Sequence, residues 1–274
     1  MQTAIEQLAQ SSDQDLRFTD AQVNFMLKNV GNLDPHLRDK LVYTLFARGF
    51  NLDAFTSQQV ETIIATFIKE QNLFKGIGQP QNDLVFLRTF SALLGGLIID
   101  KDSKQAILAD KQRQLLFDWS IAYLNQEKDY RGFVPGKGWA HAVAHGSDFL
   151  SATLSHQKFT CTNEDELFTL IKTIWHNMQA PFIDDEEQRI ASAFYLGVHA
   201  GNVTSAGFTR FVCQFDTSLN QEIDWAKQVD WYRLSSWQRL LQNWYFFFSQ
   251  DEEIRTVLNA KIMTYYTQMG YQVD

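Results

Sequence analysis

The sequence predicts an all-α protein built from stacked antiparallel αα-hairpins, a degenerate HEAT-like α-α superhelix. Three observations carry that expectation. Apolar residues recur at helical spacing almost throughout, and no run of alternating β-branched residues argues for a sheet. Four prolines and 14 glycines in 274 residues favour long regular elements over loop-rich β architecture. The connections between periodic segments are short, which makes consecutive helices antiparallel neighbours. No strict period repeats, so a consensus repeat array is not expected. No Pro/Ser/Gly-rich stretch divides the chain, and residues 1–274 are expected to form a single all-helical domain.

The elements follow in order. Thr19 opens TDAQVNFMLKNVG with Gln22 three residues on, a capping-box pattern, and Gly31 follows the apolar run. Asp34-Pro35 supplies an N-cap and a first-turn proline for DPHLRDKLVYTLFARG, which closes at Gly49. TSQQVETIIATFIKEQNLF is a third helix and NDLVFLRTFSALLGGLII a fourth, while residues 104–126, ending in LLFDWSIAYLN, form a fifth. A helix is expected from about Gly138 to His156, followed by NEDELFTLIKTIWHNM and DDEEQRIASAFYLGVHAG. FTRFVCQF, WYRLSSWQRLLQNWYFFF and EIRTVLNAKIMTYYTQMG show the same spacing, giving ten or eleven helices in all.

Composition narrows the function. Apolar residues make up 45% of the chain and charged residues 20%, enough for a sizeable core. With 24 basic against 32 acidic side chains, a net charge of −8 and no basic run, a nucleic-acid partner is not expected. Cys161 and Cys213 sit in patterns that read as helical, so buried free thiols are expected rather than a bridge or a metal cage. The N-terminus lacks a basic segment followed by an apolar core, so no signal peptide is expected. The longest charge-free apolar stretch, TFSALLGGLII, falls far short of the roughly 20 residues that span a bilayer. A soluble, cytoplasmic protein with no membrane partner is the expectation.

Chemistry concentrates in residues 129–150, DYRGFVPGKGWAHAVAHGSDFL. On a helical wheel of about 100° per residue, Trp139, Val143, Phe149, Leu150 and Leu154 share one broad arc. Ala140, Ala144, Ser147, Ser151 and Ser155 make a face of small side chains. His141, His145 and Asp148 form a narrow stripe between the two, with His156 near its edge. A helix with both faces is expected to pack on both, which places the stripe in a cleft or concave wall. Two histidines four apart on a helix can grip one metal ion such as zinc, with Asp148 as a third ligand or as the group that orients His145. A place for His141 in the first helical turn favours neutral, ligand-competent imidazole. Ala142 stands where the catalytic glutamate of a zincin would be. The same three residues could instead form a structural hydrogen-bond network, or do acid–base work without a metal.

The preceding loop supplies Gly132, Gly136 and Gly138, which let backbone approach a ligand. Arg131 and Lys137 lie beside a helix N-terminus and suit an anion. With Trp139 these make the expected ligand-binding set: Arg131, Lys137, Gly138 and Trp139. The P-loop pattern fails, because only three residues separate Gly132 from Gly136 and no Ser/Thr follows Lys137. The alternative is a loop whose glycines merely turn the chain, with Arg131 salt-bridged to a neighbour. In IDDEEQRIASAF the acids suit a helix's first turn, yet Glu186 or Glu187 could reach inward as a further ligand or base. Arg88, inside an apolar run, needs a partner if buried, and a carboxylate from this cluster or Asp148 is the candidate. The aromatics Trp225, Trp231, Tyr232, Trp237, Trp244, Tyr245 and Phe246 to Phe248 either fill space between helices or line a groove or partner surface.

The segment RGF–PGKGWAHAVAHGSD resembles the hallmark of an uncharacterised bacterial family, domain of unknown function 2785. VFLRTFSALL, DDEEQRIASAF and LRDKLVYTL are similar to weaker blocks of it, so the resemblance covers nearly the whole chain. It matches at Arg131, Gly132, Lys137, Gly138, Trp139, His141, His145 and Asp148, and it implies an all-helical protein with no assigned activity. Three functions are open on these residues. The leading one is binding of a small anionic ligand or a peptide in a concave site floored by His141, His145 and Asp148 and rimmed by Arg131 and Lys137. The second is a metal-dependent hydrolase with a His-His-Asp site, water on the ion as nucleophile and Glu186 or Glu187 as base. The third is a protein-interaction scaffold acting through the C-terminal aromatics.

Overall fold

Helix caps written into the sequence start two of the early helices. Thr19 accepts from the Gln22 N–H while the Gln22 side chain accepts from the Thr19 N–H, and Thr56 and Gln59 repeat the arrangement. The computed structural model describes residues 1–79 and 81–271, and most of these are helical. The helices are α1 (Gln2–Ala9), α2 (Asp20–Lys28), α3 (Thr44–Asn51), α4 (Ser57–Glu70), α5 (Leu84–Gln105), α6 (Asp110–Gln126), α7 (Ala142–Leu154), α8 (Glu164–Asn177), α9 (Glu186–His199), α10 (Ser205–Glu222), α11 (Gln228–Phe247) and α12 (Glu252–Gln268). The all-α expectation is met. The sequence reading did not anticipate α1. The helix after Pro35 is π-wound over His36–Tyr43 and runs on through α3, past Gly49 to Asn51. A short hairpin, β1 (Phe133–Val134) and β2 (Gly138–Trp139), stands where no strand was expected. The chain divides into two compact units, Met1–Thr153 and Leu154–Asp274.

In the first unit α5 is central, packing against α3, α4, α6 and the π-wound segment. Its side chains are buried on every face, from Val85, Phe86 and Phe90 to Ile98 and Ile99, as a helix in the middle of a unit requires. Gly95 lets α7 come close, whereas Gly96 leaves room for an ordinary contact. A Cβ on Gly95 would lie 2.8 Å from the Phe149 ring, and one on Gly96 3.5 Å from the Phe149 Cα. On α7 itself, a Cβ on Gly146 would lie 2.5 Å from Leu124 of α6. The missing side chains of Gly95 and Gly146 therefore seat α7 between α5 and α6. Arg88 finds its partner at the end of α6: Nε and Nη2 donate to the two oxygens of Glu127 at 2.6 and 2.9 Å, both side chains being almost fully buried. This corrects the expected pairing with the acidic cluster or Asp148. Glu127 also accepts the N–H groups of Lys128 and Asp129, so one carboxylate neutralises the buried arginine and turns the chain out of α6.

The second unit is built on rings. α11 packs against α9 and α12, and α10 against α8 and α12. Trp237 meets Phe215 edge-on at 4.8 Å, and Phe168 stacks on Phe211 at 4.4 Å. Two of the buried indoles place their N–H groups on acceptors: Trp237 donates to Asp216 and Trp175 to the Arg233 carbonyl, each at 3.0 Å. Of the C-terminal aromatics, Trp237, Trp244 and Phe248 are core, whereas Trp225, Trp231, Phe246 and Phe247 are exposed. Cys161 and Cys213 are free thiols, each half-buried. Cys161 lies in the loop before α8 rather than in a helix. Among the described residues no helix is long and apolar enough to cross a membrane.

Candidate functional site

Backbone chemistry first sets where the histidines stand. Val134-Pro135-Gly136-Lys137 is a type II turn, with proline at the second position, Gly136 at φ +77° in the third, and the Lys137 N–H donating to the Val134 carbonyl at 3.0 Å. The turn pairs Phe133 with Trp139 and Val134 with Gly138. Beyond the strands, the Ala140 and His141 N–H groups donate to the carbonyls of Gly132 and Arg131, each at 2.9 Å. The chain can enter α7 only after this ladder ends. His141 makes the switch at φ +52°, and its carbonyl accepts from the His145 N–H at 2.9 Å. His141 is thus the residue that opens α7, not a member of its first turn, and the helix begins at Ala142 rather than Gly138. Trp139 leaves the packed arc for the same reason and is 38% exposed on β2.

From Ala142 onward the wheel holds. Val143, Phe149, Leu150 and Leu154 are buried, and so are Ala144 and Ser147 on the small face. His141, His145 and Asp148 are each partly buried, neither in the core nor fully exposed. His156 falls past the end of α7, buried, with Nδ1 accepting the Lys158 N–H at 3.0 Å.

The imidazoles belong to a continuous ladder of rings. Exposed Phe133 meets Trp139 edge-on at 5.0 Å, and Trp139 stacks on His141 at 4.4 Å with 22° between planes. His141 meets His145 at 5.4 Å and 80°, and His145 meets buried Phe90 at 5.1 Å and 83°. Each imidazole is therefore held by a ring on either side, at the depth where surface gives way to core. At the inner end, the Arg38 guanidinium lies over Phe90 at 4.7 Å and over Phe86 at 4.5 Å.

Arg38 escaped the sequence reading, yet it ties the hairpin down. The side chain is fully buried, ion-paired with Asp39 at 2.7 Å, and donates to the Asn32 carbonyl at 2.8 Å and to the Lys137 carbonyl at 2.7 Å. Burial pulls its guanidinium down from the usual range, and Asp39 partly offsets this. Gly138 passes so close that a Cβ there would lie 2.8 Å from Pro35 Cβ and 3.1 Å from Arg38 Nη2. A charged residue among the leucines of LRDKLVYTL was the visible signal.

The loop cations are matched by acids of the same unit. Arg131 bonds both oxygens of Asp129, at 2.8 and 2.6 Å, and donates to the Asn82 carbonyl at 2.9 Å. Lys137 lies 2.7 Å from both oxygens of Asp83, just before α5. Of the ligand-binding set, then, Arg131 and Lys137 brace the hairpin, Gly138 allows its approach, and Trp139 packs on His141. In the second unit, Glu186 and Glu187 occupy the first turn of α9, both buried. Glu187 accepts from Arg239 Nη2 and Nε at 2.7 and 3.0 Å. Glu186 accepts the Asp184 N–H at 2.9 Å, and burial pushes its carboxyl above the usual range.

Comparison with curated proteins and with solved structures returned no match. A family model described as a protein of unknown function, DUF2785, matches residues 73–246, a span that contains the hairpin, α7 and both imidazoles. That is more than half of the 274 residues, and the chain belongs to this family.

Proposed function

We propose that the hairpin and α7 form a divalent-metal site in the first unit, with His141 and His145 as ligands and Asp148 as a third ligand or the carboxylate that orients His145. The spacing of the imidazoles carries the reading: ring centres 5.4 Å apart, nearly perpendicular, each braced by a further ring. A tetrahedral ion bound by two imidazoles at roughly 2.0–2.1 Å would hold their centres about 5 Å apart. Little side-chain freedom remains to be lost on binding. Two imidazoles and one carboxylate leave a position for water or an anion, the pattern of zinc that polarises a substrate rather than zinc that only holds a fold. The small anionic ligand of the sequence reading is then an anion bound at the ion, because Asp129 and Asp83 already match Arg131 and Lys137. Metal-assisted hydrolysis is the reaction class such a site supports. Glu187, held by Arg239, is not assigned as its base. A cytoplasmic setting agrees with two free thiols.

Calorimetric titration of the full chain with zinc tests this. One equivalent is expected to bind, and His141→Ala or His145→Ala is expected to weaken it at least about tenfold, the size of effect typical of disturbed metal shells. Melting curves without metal establish that the variants fold. No zinc uptake by the parent, or uptake unchanged in both variants, overturns the reading. A scaffold working through Trp225 and Trp231 predicts that unchanged result.

A further inference from the structure

The second unit holds a cleft of about 560 Å³ between α8, the C-terminal half of α10 and the start of α11. Its volume lies in the range of small-molecule sites, roughly 300–1,000 Å³. Trp175, Phe215 and Leu219, all buried, give it an apolar floor. Lys172 and His176, four residues apart and therefore on one face of α8, stand exposed at its edge. We infer that this cleft is a binding site for a small organic anion with an apolar body, the anionic group against Lys172 and His176 and the body on the Trp175–Phe215–Leu219 floor.

The charges decide the polarity of the ligand. Asp230 is matched by Arg233 at 2.9 Å and by the Asp224 N–H at 3.1 Å, so its charge is already satisfied within the protein. Among the described residues Lys172 makes no ion pair, so its charge is left to face the cleft. Glu222, at the end of α10, is the remaining acid of the lining. The wall is also rigid before any ligand arrives. Arg233 donates from Nη2 to the His176 carbonyl at 2.8 Å, and its own carbonyl accepts the Trp175 indole N–H at 3.0 Å, which clamps α8 to α11. A preformed pocket keeps the ordering cost of binding low. The exposed pair Trp225 and Trp231, in edge contact at 5.1 Å, flanks the lining residues Lys227 and Val229 in the chain.

Fluorescence titration of the full chain with 8-anilinonaphthalene-1-sulfonate, beside its uncharged relative N-phenyl-1-naphthylamine, tests the inference. The sulfonate is expected to bind saturably at one site, and the uncharged amine at least about tenfold more weakly, as loss of a charge-assisted contact implies. Lys172→Glu is expected to weaken the sulfonate by about tenfold or more with no change in melting temperature. Ser218→Trp, which fills the cleft from α10, is expected to abolish binding. Equal affinity for both dyes, or sulfonate binding untouched by Lys172→Glu, overturns the proposal, and these two results decide it even if Ser218→Trp fails to fold. The zinc titration of the first unit is expected to be the same in Lys172→Glu, so failure of either site is read separately.

Discussion

At Gly138 a single hydrogen atom lets the hairpin lie against Pro35 and Arg38. The residue combines φ +76° with a neighbour 2.8 Å from where a Cβ would stand, whereas Gly136 has φ +77° and open space around it. Gly136→Ala therefore carries the backbone cost alone, about 1 kcal/mol. Gly138→Ala adds overpacking and is expected to lose about 2–3 kcal/mol in urea denaturation. Equal losses would mean that the close approach does not matter. Single residues were unevenly legible. The need of Arg88 for a buried partner was plain from its apolar flanks. Its partner Glu127 was not, because 39 residues separate the two and only the packing of α6 on α5 joins them. Arg131 was readable either as an anion ligand or as one half of a local pair. Asp129, two residues away, makes it the second.

Among the elements, those with a chemical start signal were read well. The capping box at Thr19 stands as the sequence spaced it, and Thr56 starts α4 with a second one that the sequence reading did not name. The hairpin was missed because strands of two residues leave no alternation to detect, although Val-Pro-Gly-Lys is a type II turn signature. That omission moved the start of α7 by about one turn and put Trp139 on the wrong face. The first turn of α9 shows a different limit. Acids there look like ordinary complements to the helix dipole, but Glu186 is buried and its carboxyl is raised. A group whose folded pKa exceeds its unfolded value supports the fold below the unfolded value, and that support is lost as pH rises through the folded value. Glu186→Gln is therefore expected to melt above the parent at pH 7, with the gap closing toward pH 4. A gap of the same size at both would contradict the assignment of its raised carboxyl to burial.

For the whole molecule, periodicity and composition made the all-α class legible, and the segment around His141 supplied the residues of the proposed metal site. What stayed hidden is tertiary: the ladder that fixes the imidazoles recruits Phe90 from α5 and Arg38 from the π-wound segment, neither of them near the motif in sequence. The acidic balance of the chain also hid that the two loop cations are matched by their own unit. The proposed metal site requires one ion shared by two rings. X-ray absorption at the zinc edge of the loaded protein measures that directly. The expected spectrum shows two imidazole shells at about 2.0–2.1 Å with oxygen completing the sphere, reduced to one imidazole in His145→Ala. A spectrum without imidazole scattering, or one that His145→Ala leaves unchanged, would contradict the account.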